Sequence, residues 1–312
     1  METRQRGRRA HLAVVGDIQA PPARVEKQPA YPINVTAVWG PAGSPGKSTV
    51  AVNLATELAL AGERVLLIDL DTLSPSLALT LGLVATPAGL SACLRLAEQN
   101  RFTHDEYKRL TISISLGRYE LAFMPGLSSP HRWPEVTSER FEKLIHDLKG
   151  EIDHVVVDLP QATTFKSSVF HPSRSAESEF SRDTLLKSVL AKASKVILLA
   201  GSDPVAASRF LVAKEFIDEL GPGLNPFLVV NRFRTNALGK GARSELEDTF
   251  LSLANLRVDV FVPEDRDNLD KAILNGLPLA LLKRSSPARV AIAELAKQLV
   301  VGSSSRRSVA KL

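Results

Sequence analysis

The segment Gly40-Pro41-Ala42-Gly43-Ser44-Pro45-Gly46-Lys47-Ser48-Thr49 is the part of the chain best equipped for chemistry. It lies after a short apolar run and before a helical pattern. There, backbone N–H groups and the positive end of a helix can receive an anion. Gly43 and Gly46 lack a Cβ and allow close approach to a phosphate. Lys47 is expected to bridge β- and γ-phosphates, and Ser48 to place its hydroxyl on Mg²⁺. Ser44 and Thr49 complete the expected phosphate-contacting set. Two departures weaken the cradle. Pro41 stands where the pattern has its first glycine, and Pro45 removes one N–H donor.

Two acidic sites suit the same chemistry. The run Leu66-Leu67-Ile68 leads into Asp69-Leu70-Asp71, and three valines lead into Asp158-Leu159-Pro160. In a parallel sheet, ligands gather outside the carboxyl ends of the strands, so these carboxylates are expected to face the loop. One can hold Mg²⁺ through water, and another can orient the attacking water.

These groups need a frame. Apolar runs at Val35–Trp39, Val65–Ile68, Leu121–Met124, Val155–Val157, Val196–Ala200, Phe227–Val230 and Val258–Val262 read as strands. Helical patterns alternate with them from Ser48 to about Ala61, then at Phe141–Leu148, Asp183–Ala193, Val205–Leu220, Ser244–Leu253, Leu269–Asn275 and Pro287–Val301. That alternation predicts an α/β fold, a mostly parallel sheet with helices on both faces. Residues 1–30 read as a flexible basic, Pro-rich arm, 31–301 as a single domain, and 302–312 as a flexible basic tail. Residues 163–180, polar and Ser-rich, read as a long surface loop.

Composition excludes several classes. The 312 residues include a single cysteine, Cys93, so neither a disulfide framework nor a thiolate cage is available. The six histidines show no metal-ligand spacing. No apolar run approaches the roughly 18 residues a membrane helix needs, and no secretory signal is evident; the expected location is the cytoplasm. Net charge is +5. Residues 1–30 carry six Lys/Arg against three Asp/Glu, and residues 301–312 carry three Lys/Arg and no acid, which leaves −1 for the body between. The basic balance therefore belongs to the ends. It argues against a sequence-specific DNA grip, and leaves weak, salt-sensitive attraction of the tails to anionic lipid at the inner face of the membrane, or to nucleic acid.

Taken in order, Gly46-Lys47-Ser48-Thr49, Ala51-Val52-Asn53-Leu54-Ala55, Leu66 to Asp71, Val155 to Pro160, Val229-Val230-Asn231-Arg232 and Val262-Pro263-Glu264-Asp265 resemble the MinD/ParA family of P-loop ATPases with a deviant Walker A motif. The resemblance spans about residues 33–300. It implies the three-layer P-loop NTPase sandwich, ATP and Mg²⁺ as cofactors, and a homodimer. It implies that Asp71 positions the attacking water, that Asp158 is the Walker B carboxylate beside Ser48, and that Asn231 and the backbone at Pro263 line the adenine pocket. Asp69 is left a structural role. Trp39–Pro45 together with Arg132-Trp133-Pro134 look most like CpaE/TadZ-like proteins. These imply a protein partner in pilus assembly or secretion, and a related branch implies septum-site determination. The family's signature lysine falls at Ala42, so hydrolysis is expected to be weak, and dimerisation to rest on other contacts. A regulatory scaffold with little ATPase activity and a partitioning ATPase are the alternatives. Iron–sulfur relatives would need more cysteines, and kinase relatives a C-terminal tyrosine cluster.

Overall fold

The computed structural model describes residues 31–43, 45–87, 89–162, 182–221, 224, 226–234, 239 and 241–307. The proposed arm at 1–30, the Ser-rich stretch 163–180 and Ser44 lie outside them. Eight strands form one sheet: β1 (Asn34–Trp39), β2 (Val65–Asp69), β3 (Ile112–Leu116), β4 (Tyr119–Met124), β5 (His154–Asp158), β6 (Lys195–Gly201), β7 (Phe227–Phe233) and β8 (Val258–Pro263). Their order is β3-β4-β2-β5-β1-β6-β7-β8. All pairings are parallel except β3 with β4.

Eleven α-helices are described: α1 (Lys47–Leu60), α2 (Leu77–Thr80), α3 (Gly89–Glu98), α4 (His104–Leu110), α5 (Ser138–Asp147), α6 (Arg182–Lys192), α7 (Pro204–Asp218), α8 (Ala242–Ala254), α9 (Arg266–Asn275), α10 (Leu279–Leu282) and α11 (Pro287–Arg307). They cover both faces of the sheet. On one, Val38, Leu67, Val156, Ile197 and Val229 pack with Leu54 and Leu58 of α1, Leu279 of α10 and Leu295 of α11. On the other, Ala37, Trp39, Leu66, Val157 and Leu198 pack with Cys93 of α3, Phe141 of α5, Leu186 of α6, Phe210 of α7 and Phe250 of α8. Burial on both faces explains why the central strands read as continuous apolar runs. Cys93 is a core residue whose thiol is pushed up to about 12 by burial.

Two tertiary fastenings hold α1, the helix that carries Lys47. Glu57 receives both Arg289 Nε at 2.7 Å and Nη2 at 2.9 Å from α11. Asn53 Oδ1 accepts from the Leu279 N–H at 2.8 Å. The helix ends as its sequence implies, with Gly62 in the left-handed region at φ +95.

The structure adds to the sequence reading at the short helices α2 and α4, and differs from it at two further places. The closing helix runs through Gly302 to Arg307 instead of giving way to a loose tail at 302. A single glycine costs a helix about 1 kcal/mol and need not end it. The edge strand β3 was also absent from the pattern reading, although Ile112-Ser113-Ile114-Ser115-Leu116 alternates in the manner of an antiparallel strand.

Candidate phosphate site at the strand ends

The loop between β1 and α1 opens at the carboxyl end of the central strand, where sheet order reverses direction around β1. Gly43 and Gly46 both adopt left-handed backbone, at φ +99 and +91, and Gly46 caps α1. Any other residue would be strained at either position. Lys47 is the first residue of the helix, and its ammonium makes no ion pair or hydrogen bond with a described residue. Thr49 sits in the first turn, its carbonyl accepting from Asn53 Nδ2 at 2.8 Å.

Ser48 and Asp158 are brought together across 110 residues: Ser48 Oγ donates to Asp158 Oδ2 at 2.6 Å. The hydroxyl of Ser76 donates in turn to Ser48 Oγ at 3.1 Å. Asp158 is fully buried, and its other oxygen, Oδ1, has no partner among the described residues. Burial pushes its carboxyl up to about 8, with the charge of Asp69 adding to the effect and the Ser48 hydrogen bond and Lys47 charge opposing it. A buried oxygen with no donor, next to an oriented hydroxyl and an unpaired lysine, fits a hydrated divalent cation beside phosphate. Among the described residues no three His, Cys, Asp or Glu side chains gather to cage a metal. Such an ion would therefore have to draw ligands from water and phosphate, as Mg²⁺ does.

Asp69 does structural work. Its carboxylate accepts from the N–H groups of Ser76 at 3.1 Å, Leu77 at 3.0 Å and Asp71 at 3.2 Å. It thereby fixes the start of α2 and holds Ser76 against Ser48. Burial raises its carboxyl to about 7, against the pull of those three N–H donors. Asp71 is half-buried, and its Oδ1 accepts from Leu73 and Ser74 N–H, both at 2.9 Å. Those bonds orient the carboxylate and leave Oδ2 without a described partner.

Asn231 is placed at the loop itself: Nδ2 donates to the Pro45 carbonyl at 2.7 Å. It stands beside Gly46, where a Cβ would collide with its amide. Pro263 lies at the adjoining strand end, paired in register with Phe233, and the Glu264 N–H donates to the Phe233 carbonyl at 3.0 Å. Ser76 was missed by sequence reading, since no motif surrounds it.

Residues 36–279 match the family model described as the CobQ/CobB/MinD/ParA nucleotide binding domain. The chain is 24% identical over 271 residues to the septum site-determining protein MinD of Bacillus subtilis, covering 83% of this chain and 85% of that protein. Among solved structures it is similar to a ParA family ATPase from Chlorobium tepidum TLS, with TM-score 0.68 and 17% identity over 84% of this chain and 98% of that one. It is also similar to MinD complexed with Mg-ADP from Pyrococcus horikoshii OT3, with TM-score 0.61 and 19% identity over 86% and 96%.

Proposed function

The chain belongs to the CobQ/CobB/MinD/ParA nucleotide-binding family, and from that premise we propose that it binds ATP with Mg²⁺ and hydrolyses it slowly, as a positioning ATPase. The observation that carries the reading is the part-buried Ser48–Asp158 hydrogen bond behind the Gly46-Lys47 loop, with Oδ1 of the buried Asp158 unpartnered among the described residues. Loop N–H groups and the N-terminus of α1 hold the phosphates, and Lys47 adds a cation. Ser48 and Asp158 would hold Mg²⁺, which would supply charge neutralisation at the phosphates. Asp71, fixed by Leu73 and Ser74, orients the attacking water through its free oxygen. Asn231 secures the loop through Pro45, and the Pro263 segment borders the base.

The processes in view are septum placement, partitioning and the localisation of pilus or secretion machinery, each with a protein partner and a homodimer. The likeness to a septum site-determining protein supports placement in division. A near-neutral body gives little support to tight DNA binding. Weak peripheral attachment to the inner membrane face through the basic ends accords with their charge. No helix among the described residues is long and apolar enough to cross a membrane. A second reading, a nucleotide-dependent scaffold with little hydrolysis, draws support from Ala42 and from the N–H groups missing at Pro41 and Pro45.

Phosphate release under ATP and Mg²⁺, with Lys47→Ala as control, tests the pair. Slow release abolished by Lys47→Ala supports the ATPase. Nucleotide binding without Lys47-dependent release supports the scaffold, and unimpaired binding by Lys47→Ala rejects both.

A further inference from the structure

The loop is short of donors and cations for a triphosphate. Pro41 and Pro45 have no N–H, and Lys47 is its sole basic residue. A second cation arrives from elsewhere in the chain. The helix α7 begins directly after β6, the strand beside β1, with the Asp203 carboxylate capping its first turn. Its second turn carries Arg209 over the loop. A Cβ placed on Gly43 would lie 2.5 Å from Arg209 Nη1 and 3.4 Å from Cζ. The guanidinium therefore lies directly against Gly43 of the loop.

Arg209 is exposed, and its guanidinium makes no ion pair or hydrogen bond with any described residue. Its helical neighbours explain why. Val205 and Ala213 stand four residues either side, and Ala206 and Val212 three. None offers a carboxylate at the spacings where helix pairs form. An unpaired guanidinium seated on a phosphate loop, with a planar fork of donors, is suited to bind a phosphoryl group.

We propose that Arg209 is a phosphate-contacting residue of this site, reaching the outermost phosphate of a nucleoside triphosphate from within the same chain and so favouring triphosphate over diphosphate. The assignment rests on the nucleotide reading above. It supplies, from α7, a charge that Ala42 does not.

Calorimetric affinities for ADP and for the β,γ-imido analogue of ATP, both with Mg²⁺, test it in wild type, Arg209→Ala, Arg209→Lys and Lys47→Ala proteins. Arg209→Ala should weaken the triphosphate analogue about tenfold while changing ADP roughly twofold or less. Arg209→Lys should recover part of the loss, because it keeps the charge without the fork. An unchanged ratio of the two affinities in Arg209→Ala, including equal weakening of both, overturns the assignment. If Lys47→Ala binds both nucleotides as wild type does, the nucleotide reading fails and the assignment with it. Retained ADP binding by Arg209→Ala shows that the variant is folded.

Discussion

Asp69 and Asp158 stand at the same level on neighbouring parallel strands, and both carboxylates are buried. The first is satisfied by three backbone N–H groups, while the second keeps one oxygen bare. Two adjacent buried carboxylates resist joint ionisation, and a bound cation relieves that conflict. On the proposed reading, ionising both carboxylates costs the nucleotide-free protein stability that the bound cation would return.

Asp158→Asn should therefore raise the stability of the nucleotide-free protein while abolishing Mg²⁺-dependent nucleotide binding. The carboxyl is raised to about 8 in the folded chain, so the unfolded chain loses its proton first as pH rises. The advantage of the variant should grow between about pH 4 and pH 8 and reach about 2 kcal/mol or more. Thermal melts across that range would show a constant difference if Asp158 titrated normally.

His154 predicts the opposite slope. It is buried at the start of β5, with its Nε2 2.7 Å from Thr36 Oγ1, and burial lowers its pKa from 6.5 to about 4. As pH falls, the unfolded chain takes up the proton first, so this contribution is lost between about pH 6.5 and pH 4. The buried acids act the other way over the same window. Subtracting His154→Gln from wild type cancels their effect. Wild type should lose about 2–3 kcal/mol relative to the variant over that interval, measured by denaturant titration; parallel curves would refute this.

Arg289→Ala should cost about 3 kcal/mol, because it leaves the buried Glu57 carboxylate without its bidentate partner. Converting Glu57 to Gln as well should recover part of the loss. A shift in unfolding midpoint no larger than that of an exposed arginine would contradict the role given to this pair.

Pro45→Val restores a backbone N–H to the loop, and the carbonyl that binds Asn231 remains in place. Nucleotide should bind roughly three- to tenfold more tightly. Equal dissociation constants for the two proteins would mean that the missing donor does not limit affinity.

What could be read beforehand follows the range of the interactions. The loop glycines, Lys47 and Ser48 form one contiguous segment, and Asp158 ends a run of valines, so local pattern exposes them. The partnership of Ser48 with Asp158 follows from strand order, which alternating elements already imply. Ser76 and Arg209 carry no such mark. Ser76 reaches the site because Asp69 pins the start of α2, and Arg209 because α7 follows the strand next to β1. The short helices α2 and α4 and the edge strand β3 escaped for a related reason. Brief elements owe their form to packing on neighbours more than to their own periodicity. Gly302 misled in the other direction, since a local breaker was overridden by the helix around it.

Trp39 ends β1 immediately before the loop, fully buried, its ring stacked on Phe216 of α7 with centroids 5.7 Å apart. The chain holds two tryptophans, and the other, Trp133, lies under the Arg182 guanidinium at 5.0 Å. Replacing Trp133 with phenylalanine would leave a single indole, at the strand end that leads into the loop and stacked on the helix that bears Arg209. The protein thus carries a built-in optical probe at the junction of the two, and its emission would register ligand-driven rearrangement there without any added label.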